Sequence, residues 1–219
     1  MRQWTGYSKG INDANAFELL TQIYPFPVGT SLSNVDNTNR RKIDVSIIVP
    51  AYNVQTYVDD CLSSLITQNT KYKYEIIVVN DGSTDHTLNH IEKYADNPLV
   101  KIIDKNNEGL SSARNSGLYY SHGKYIAFVD ADDSVEPNFV ESLISVAKKT
   151  DADIVQGDYR ILGNLKCDDK KSLENAKRIK PFSSLYGYPW GKIYKISLFN
   201  KIKFPENFWF EDTMMMYRV

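Results

Sequence analysis

The stretch DVSIIVP, Asp44–Pro50, is where the fold can first be read. Val45, Ile47, Ile48 and Val49 make a short β-branched run without hydrophobic alternation, the pattern of a strand buried on both faces. Downstream, VDDCLSSLIT follows with helical spacing at Val58, Leu62 and Leu65, and YEIIVVN, ending at Asn80, reads as a second buried strand. A helix is expected over about 85–94, a third strand at VKIID and a helix from Gly109 to Ser121. A fourth strand, KYIAFVD, and a helix, NFVESLISVAKK, complete the series. Strands alternating with helices of this length imply an α/β fold, a mostly parallel twisted sheet with helices on both faces. Ligands of such sheets sit beyond the carboxyl ends of the strands. The polar clusters fall at those ends: PAYN after the first strand, NDGSTD after the second and DADD after the fourth.

Outward from this alternation the chain is less regular. Residues 1–42 read as an appendage, with one short helix in NDANAFELLTQIY and a linker in PFPVGTSLSNVDNTNRRK. Residues 43–135 are expected to form the ligand-binding half of the domain and 136–219 a second half. In the latter, DADIVQGDYRILGN suggests a strand and a hairpin turning at Gly163-Asn164. The lysines and arginine of 166–180 read as a solvated loop, or as a basic rim facing an anionic acceptor or a membrane surface.

Composition narrows the classes. The 219 residues are 42% apolar and 24% charged, with net charge -1, which gives no bulk attraction to nucleic acid or anionic membrane. Two cysteines, Cys61 and Cys167, suit a reducing compartment. MRQWTGYSKG lacks the apolar core of a signal peptide, and no run approaches the roughly 18 apolar residues of a membrane helix. The expected location is cytoplasmic, with peripheral membrane contact compatible.

Several motif readings fail on their spacing. No GxGxxG is present, and GLYYSHGK has five residues between its glycines where a P-loop has four. An EF-hand starting at Asp130 would have Val135 in place of the turn glycine and Pro137 at its eighth position. His86 and His90 lie four apart, yet no HExxH pattern or third ligand accompanies them. Cys61 sits on an apolar helix face as a core residue.

The carboxylates of DADD keep two readings. Asp130 and Asp132, one residue apart at a strand end, suit a hard cation completed by substrate phosphates. Alternatively, the Asp-rich turn caps the helix near Pro137. In NDGSTD, Ser83 or Thr84 could cap the next helix with Asp85 at its positive end, leaving Asp81 available to a nucleobase edge. Tyr52 offers that base a flat surface.

Six blocks in order, VSIIVPAYN, VVNDGSTD, NNEGLSSARNSGL, IAFVDADD, PWGKIYKISLF and FPENFWFEDT, resemble glycosyltransferase family 2, whose fold is GT-A. The resemblance covers Asp44 to the end of the chain. It implies that Pro50, Ala51, Tyr52 and Asn53 border the nucleotide base and that Asp81 bonds its pyrimidine edge. Gly109, Ala113, Arg114, Asp130 and Ala131 would line the nucleotide-sugar pocket, with Asp130 and Asp132 holding Mn2+ or Mg2+. Trp190, Gly191 and Lys192 would stand on the acceptor side, and Glu211 and Asp212 form the acidic pair, with Asp212 favoured as general base. The implied chemistry is inverting transfer from a UDP-linked hexose or N-acetylhexosamine to a glycan, polysaccharide or glycoconjugate. The alternatives are a catalytically silent nucleotide-sugar-binding module and, against the lack of a glycine-rich loop after the first strand, a sugar nucleotidyltransferase. The chain stops at MMMYRV, inside a helix that family members continue past. The expectation is therefore a truncated chain that binds UDP but transfers slowly.

Overall fold

The computed structural model describes residues 43–159, 187–200 and 202–206. The expected short helix of the N-terminal appendage, the Gly163-Asn164 turn, the basic stretch 166–180 and the acidic pair Glu211–Asp212 lie outside these residues. The strands are β1 (Val45–Ala51), β2 (Tyr74–Asp81), β3 (Val100–Lys105), β4 (Tyr125–Phe128), β5 (Ile154–Gln156) and β6 (Lys192–Lys195). The helices are α1 (Val58–Ile66), α2 (Thr87–Glu92), α3 (Leu110–Tyr119) and α4 (Phe139–Thr150), and a 3-10 turn covers Ile196–Asn200. They form one six-stranded sheet in the order β3-β2-β1-β4-β6-β5. The first four strands run parallel, and β6 enters antiparallel between β4 and β5. The α/β expectation of a mostly parallel, two-faced sheet is met.

The run at β1 is continuous because successive side chains enter opposite cores. Val45, Ile47, Val49 and Ala51 join Val58, Leu62 and Leu65 of α1 and Val140, Leu143 and Ile144 of α4. Ile48 faces the other way, toward Leu118, Ile126, Phe128 and Phe204. Ala113 of α3 packs on that second face against Ile77 and Val79 of β2. Cys61 is core as expected: burial pushes its thiol up to about 12, and its Sγ lies 3.7 Å from the Asp130 carbonyl.

Pro50 is tolerated inside β1 for a geometric reason. The Ile48 carbonyl accepts from Val129 N, so the backbone polar groups of residues 48 and 50 point toward β4. The β1–β4 pairing ends at Ile48–Phe128, so the missing Pro50 N–H leaves no ladder bond unmade.

One local expectation changes. The helix after β2 covers Thr87–Glu92 rather than about 85–94, and neither Ser83 nor Thr84 caps it. The strand expected in DADIVQGDYRILGN is β5, which pairs with β6, 36 residues on in the register Gln156–Lys192. No helix among the described residues is long and apolar enough to cross a membrane.

Candidate functional site

Because β1 to β4 are parallel, their carboxyl ends share one edge of the sheet, and PAYN, NDGSTD and DADD meet there. After β1 the chain turns at Asn53, whose φ of 53° is a left-handed value that Asn tolerates better than most residues. This turn is laced to the loop after β2. Asn53 N donates to Ser83 Oγ at 3.1 Å, while Thr84 N donates to Asn53 Oδ1 at 2.8 Å. Val54 N donates to Thr87 Oγ1 at 2.8 Å, and His86 N to Gln55 Oε1 at 2.9 Å. Ser83 and Thr84 are therefore ties between loops, which is why they do not cap. Asp85 takes part too, accepting from Thr87 N at 2.9 Å and Gln55 N at 3.3 Å. Tyr52 stands out from this lacing, 49% exposed.

Asp81, the last residue of β2, is 2% exposed and heavily engaged. Its Oδ1 accepts from Lys105 Nζ at 2.7 Å and Glu108 N at 3.1 Å, and its Oδ2 from Gly109 N at 2.7 Å. Burial pulls the Lys105 ammonium down, but the hydrogen bonds and charges of Asp81 and Glu108 outweigh it and hold it above the usual lysine value. Lys105 went unnoticed in the sequence; its only signal was a cation closing β3 at the polar edge. Gly109 caps α3 with φ of 90°, a conformation that favours glycine although a Cβ would meet nothing within 4 Å. Gly82 is confined sterically as well: at φ +66° its Cβ would lie 2.5 Å from Asn107 N. Gly82, Lys105 and Glu108 line a cleft of about 590 Å³ with Asn80, Ser83, Leu88, Asp104 and Asn106.

At the end of β4 the Asp-rich turn does not cap α4. The N-cap is Asn138, with no side-chain bond, and Asp133 N instead closes a turn onto the Asp130 carbonyl at 3.0 Å. Ala131, buried in the main core, anchors this turn between two carboxylates. Asp130 Oδ1 accepts from Arg114 Nη2 at 3.2 Å, with the Arg114 side chain only 3% exposed. Asp132 and Asp133 are exposed. The Asp133 carboxyl lies above its ordinary pKa, through desolvation first and then repulsion from Asp130 and Asp132. A cation beside the turn would relieve the part of this shift that comes from charge repulsion.

Arg114 is itself supported. Its guanidinium lies 5.2 Å from the Phe204 ring centre. The next residue, Asn115, clips Phe204 from both sides, accepting from its N at 2.9 Å and donating to its carbonyl at 2.9 Å. Asn115 also donates to Glu206 Oε1 at 3.0 Å. Sequence reading missed Asn115, since a polar residue in a helix carries no signal of a partner 89 positions away. Ala113 is fully buried and packs α3 onto β2.

Trp190 bridges to Phe128 beside the acidic turn. Lys192 is completely buried, and burial lowers its pKa to about 7; its Nζ donates to the Tyr188 carbonyl. Thus the structure brings together Pro50, Ala51, Tyr52, Asn53, Asp81, Gly109, Arg114, Asp130, Asp132, Trp190 and Lys192 along one sheet edge.

Known proteins share the family and the fold. The profile described as glycosyl transferase family 2 matches residues 46–218. Glycosyltransferase GlyA of Streptococcus pneumoniae serotype 4 is 38% identical over 180 residues, 73% of this chain and 25% of its own length. Glycosyltransferase GlyG of the same organism is 31% identical over 193 residues, 80% of this chain and 64% of its own length. Among solved structures, S. aureus TarS in complex with UDP-GlcNAc superposes with a TM-score of 0.71 and 28% identity, covering 80% of this chain and 53% of that one. The chain thus spans between a quarter and two thirds of the length of these relatives. On the match over 46–218, with the GT-A architecture shared with TarS, this chain belongs to glycosyl transferase family 2.

Proposed function

We propose that this chain is the nucleotide-sugar-binding core of an inverting glycosyltransferase that uses a uridine diphosphate sugar and a glycan or glycoconjugate acceptor. The observation that carries the proposal is the order along the sheet edge. Tyr52 and Asp81 stand on one side of the Asp130–Asp132 turn, and Trp190 stands on the other. A base, a diphosphate and an acceptor can be accommodated in that sequence. TarS, which has been solved with UDP-GlcNAc, supports a uridine donor. A carboxylate has about four acceptor positions. Asp81 uses them for three donors, Lys105, Gly109 and a Glu108 N–H shared between both oxygens at 3.1 and 3.3 Å, so a pyrimidine N–H would take the place of the longer Glu108 contact. Residues 43–135 would hold the donor and 136–219 the acceptor.

The acidic turn fits Mn2+ or Mg2+. Among the described residues no three His, Cys, Asp or Glu side chains converge; on their spacing at the strand end, Asp130 and Asp132 would be the protein ligands, with diphosphate oxygens and water filling the shell. A bound cation would neutralise charge on the departing UDP. The chain's own groups do the rest. Arg114 orients Asp130, and Asp212 takes the proton from the acceptor hydroxyl as its oxygen bonds to the anomeric carbon and the bond to UDP breaks. Glu211 would support the acceptor beside it.

The test is UDP release from UDP-glucose, UDP-galactose and UDP-N-acetylglucosamine with manganese and a saccharide acceptor. Transfer is expected with at least one donor, falling by about 100-fold or more in Asp132→Asn and in Asp212→Asn. UDP affinity should drop in the former and persist in the latter. Wild-type turnover by Asp132→Asn would reduce the acidic turn to a structural feature. A chain that binds UDP and transfers nothing would be a binding module.

A further inference from the structure

Beyond the acidic turn, the edge at β6 carries a built aromatic surface to which the sequence reading assigned nothing but Trp190. Tyr188 stacks on Trp190 with ring centres 5.2 Å apart and planes 7° from parallel. Tyr159, just after β5, meets the same indole edge-on at 5.0 Å and 82°. Residues about 30 apart in sequence thus form one cluster, because β5 and β6 pair and Gly157 N donates to the Gly191 carbonyl at 2.9 Å.

The backbone beneath it is fixed from inside the sheet. Lys192 Nζ donates to the Tyr188 carbonyl, and Tyr194 Oη donates to the Pro189 carbonyl at 3.0 Å. Both donors belong to fully buried side chains. Two consecutive carbonyls of a surface loop are therefore held by groups whose burial is costly. Yet the Tyr188 ring so positioned remains 51% open to solvent, and the neighbouring Tyr159 ring 54%. Rigid, half-exposed aromatics in a cluster mark a binding surface more than a core.

We infer that Tyr188, backed by Trp190 and flanked by Tyr159, is a platform for the apolar face of a pyranose ring in the acceptor. This rests on the glycosyl-transfer reading and deepens it by naming what the acceptor side recognises. The location supports a sugar of the acceptor over the donor base. Trp190 pairs with Phe128, two residues before Asp130, whereas Tyr52 and Asp81 lie across β1 and β2 on the far side of the acidic turn. The chemistry matches too. A pyranose offers C–H bonds on its face and hydroxyls at its rim, while tyrosine offers an apolar ring and a hydroxyl at its edge. Lys192 is a positioning residue here, acting through the Tyr188 backbone.

Saturation-transfer NMR on the 219-residue chain, in the presence of UDP, tests this. The probes are methyl glycosides of glucose, galactose and N-acetylglucosamine and their β-linked disaccharides. At least one should bind through its ring C–H protons. Tyr188→Ala should weaken that binding about 5-fold, and Tyr188→Phe should restore it to within about 2-fold, because the ring face carries the contact. UDP affinity by calorimetry should be the same in all three proteins. The platform assignment is overturned if no saccharide binds the wild-type chain, or if Tyr188→Ala binds as wild type. It also falls if farnesyl phosphate binds instead and is lost in Tyr188→Ala, which would make the surface an isoprenoid site. Loss of UDP binding in the wild type would sink the transferase reading separately.

Discussion

On the β2–β3 flank the site is held by bonds passing from loop to loop, whereas on the β6–β5 flank it is held by side chains rising out of the sheet. In the first region short polar residues do the work. Asn53, Ser83, Thr84 and Thr87 lace two turns together, and Asp81 gathers the start of α3 through Glu108 N and Gly109 N. In the second region a buried lysine and a buried tyrosine hydroxyl hold the loop that carries Tyr188 and Trp190. The difference follows from strand direction. Parallel strands end at the same edge, so their loops lie side by side and can bond to one another. β6 runs the opposite way and begins at that edge, so its own first residues, Lys192 and Tyr194, are beneath the loop and support it from below.

The comparison makes predictions of decreasing size. Asp81→Ala would leave two backbone donors unmet and Lys105 with only Glu108 and the Asn106 carbonyl, and should cost about 1–3 kcal/mol of folding stability. UDP binding should weaken on the same scale, as calorimetry would show. If affinity is unchanged while stability falls, Asp81 is only a clamp for α3, and the donor flank is structural where it was thought to be functional.

Gly109→Ala sharpens the same flank. With φ at 90°, ψ at 166° and no atom within 4 Å of a new Cβ, the cost is conformational alone, about 1–3 kcal/mol by chemical denaturation. A larger loss would mean that the Asp81–Gly109 bond had been broken as well.

Lys192 addresses the other flank through pH. Its folded pKa of about 7 lies below the ordinary 10.5, so between these values the unfolded chain binds more protons than the folded one. Stability contributed through this residue therefore rises with pH across that window, and levels off above it. Lys192→Met should lack this slope, so that wild-type stability minus mutant stability rises with pH across the window. Identical slopes would show that the buried amine does not titrate there.

The fold was legible because burial writes itself into local composition. The unbroken apolar runs of β1 and β2, the helical spacing of Val58, Leu62 and Leu65, and the core position of Cys61 all appear in the structure as read. Asp130 and Asp132 stood out because carboxylates crowded together repel and call for a cation or partner, whereas Trp190 was marked only by the family resemblance. Locally plausible readings failed where a distant partner outcompeted the near one. Ser83 and Thr84 looked like caps, but Asn53 takes both, and the DADD turn sits beside Arg114 instead of capping α4.

What the sequence by itself determined was the set of elements, the two-faced sheet and the polar clusters at its carboxyl edge, since each depends on residues within one segment. Only the tertiary structure decided which of those residues meet. Lys105 with Asp81, Asn115 with Phe204 and Tyr159 with Trp190 are joined by strand order. Such pairings are separated by 24 to 89 positions in the first two cases. They arise from the β3-β2-β1-β4-β6-β5 arrangement, which no local pattern encodes, because sheet order is chosen by the packing of the whole core.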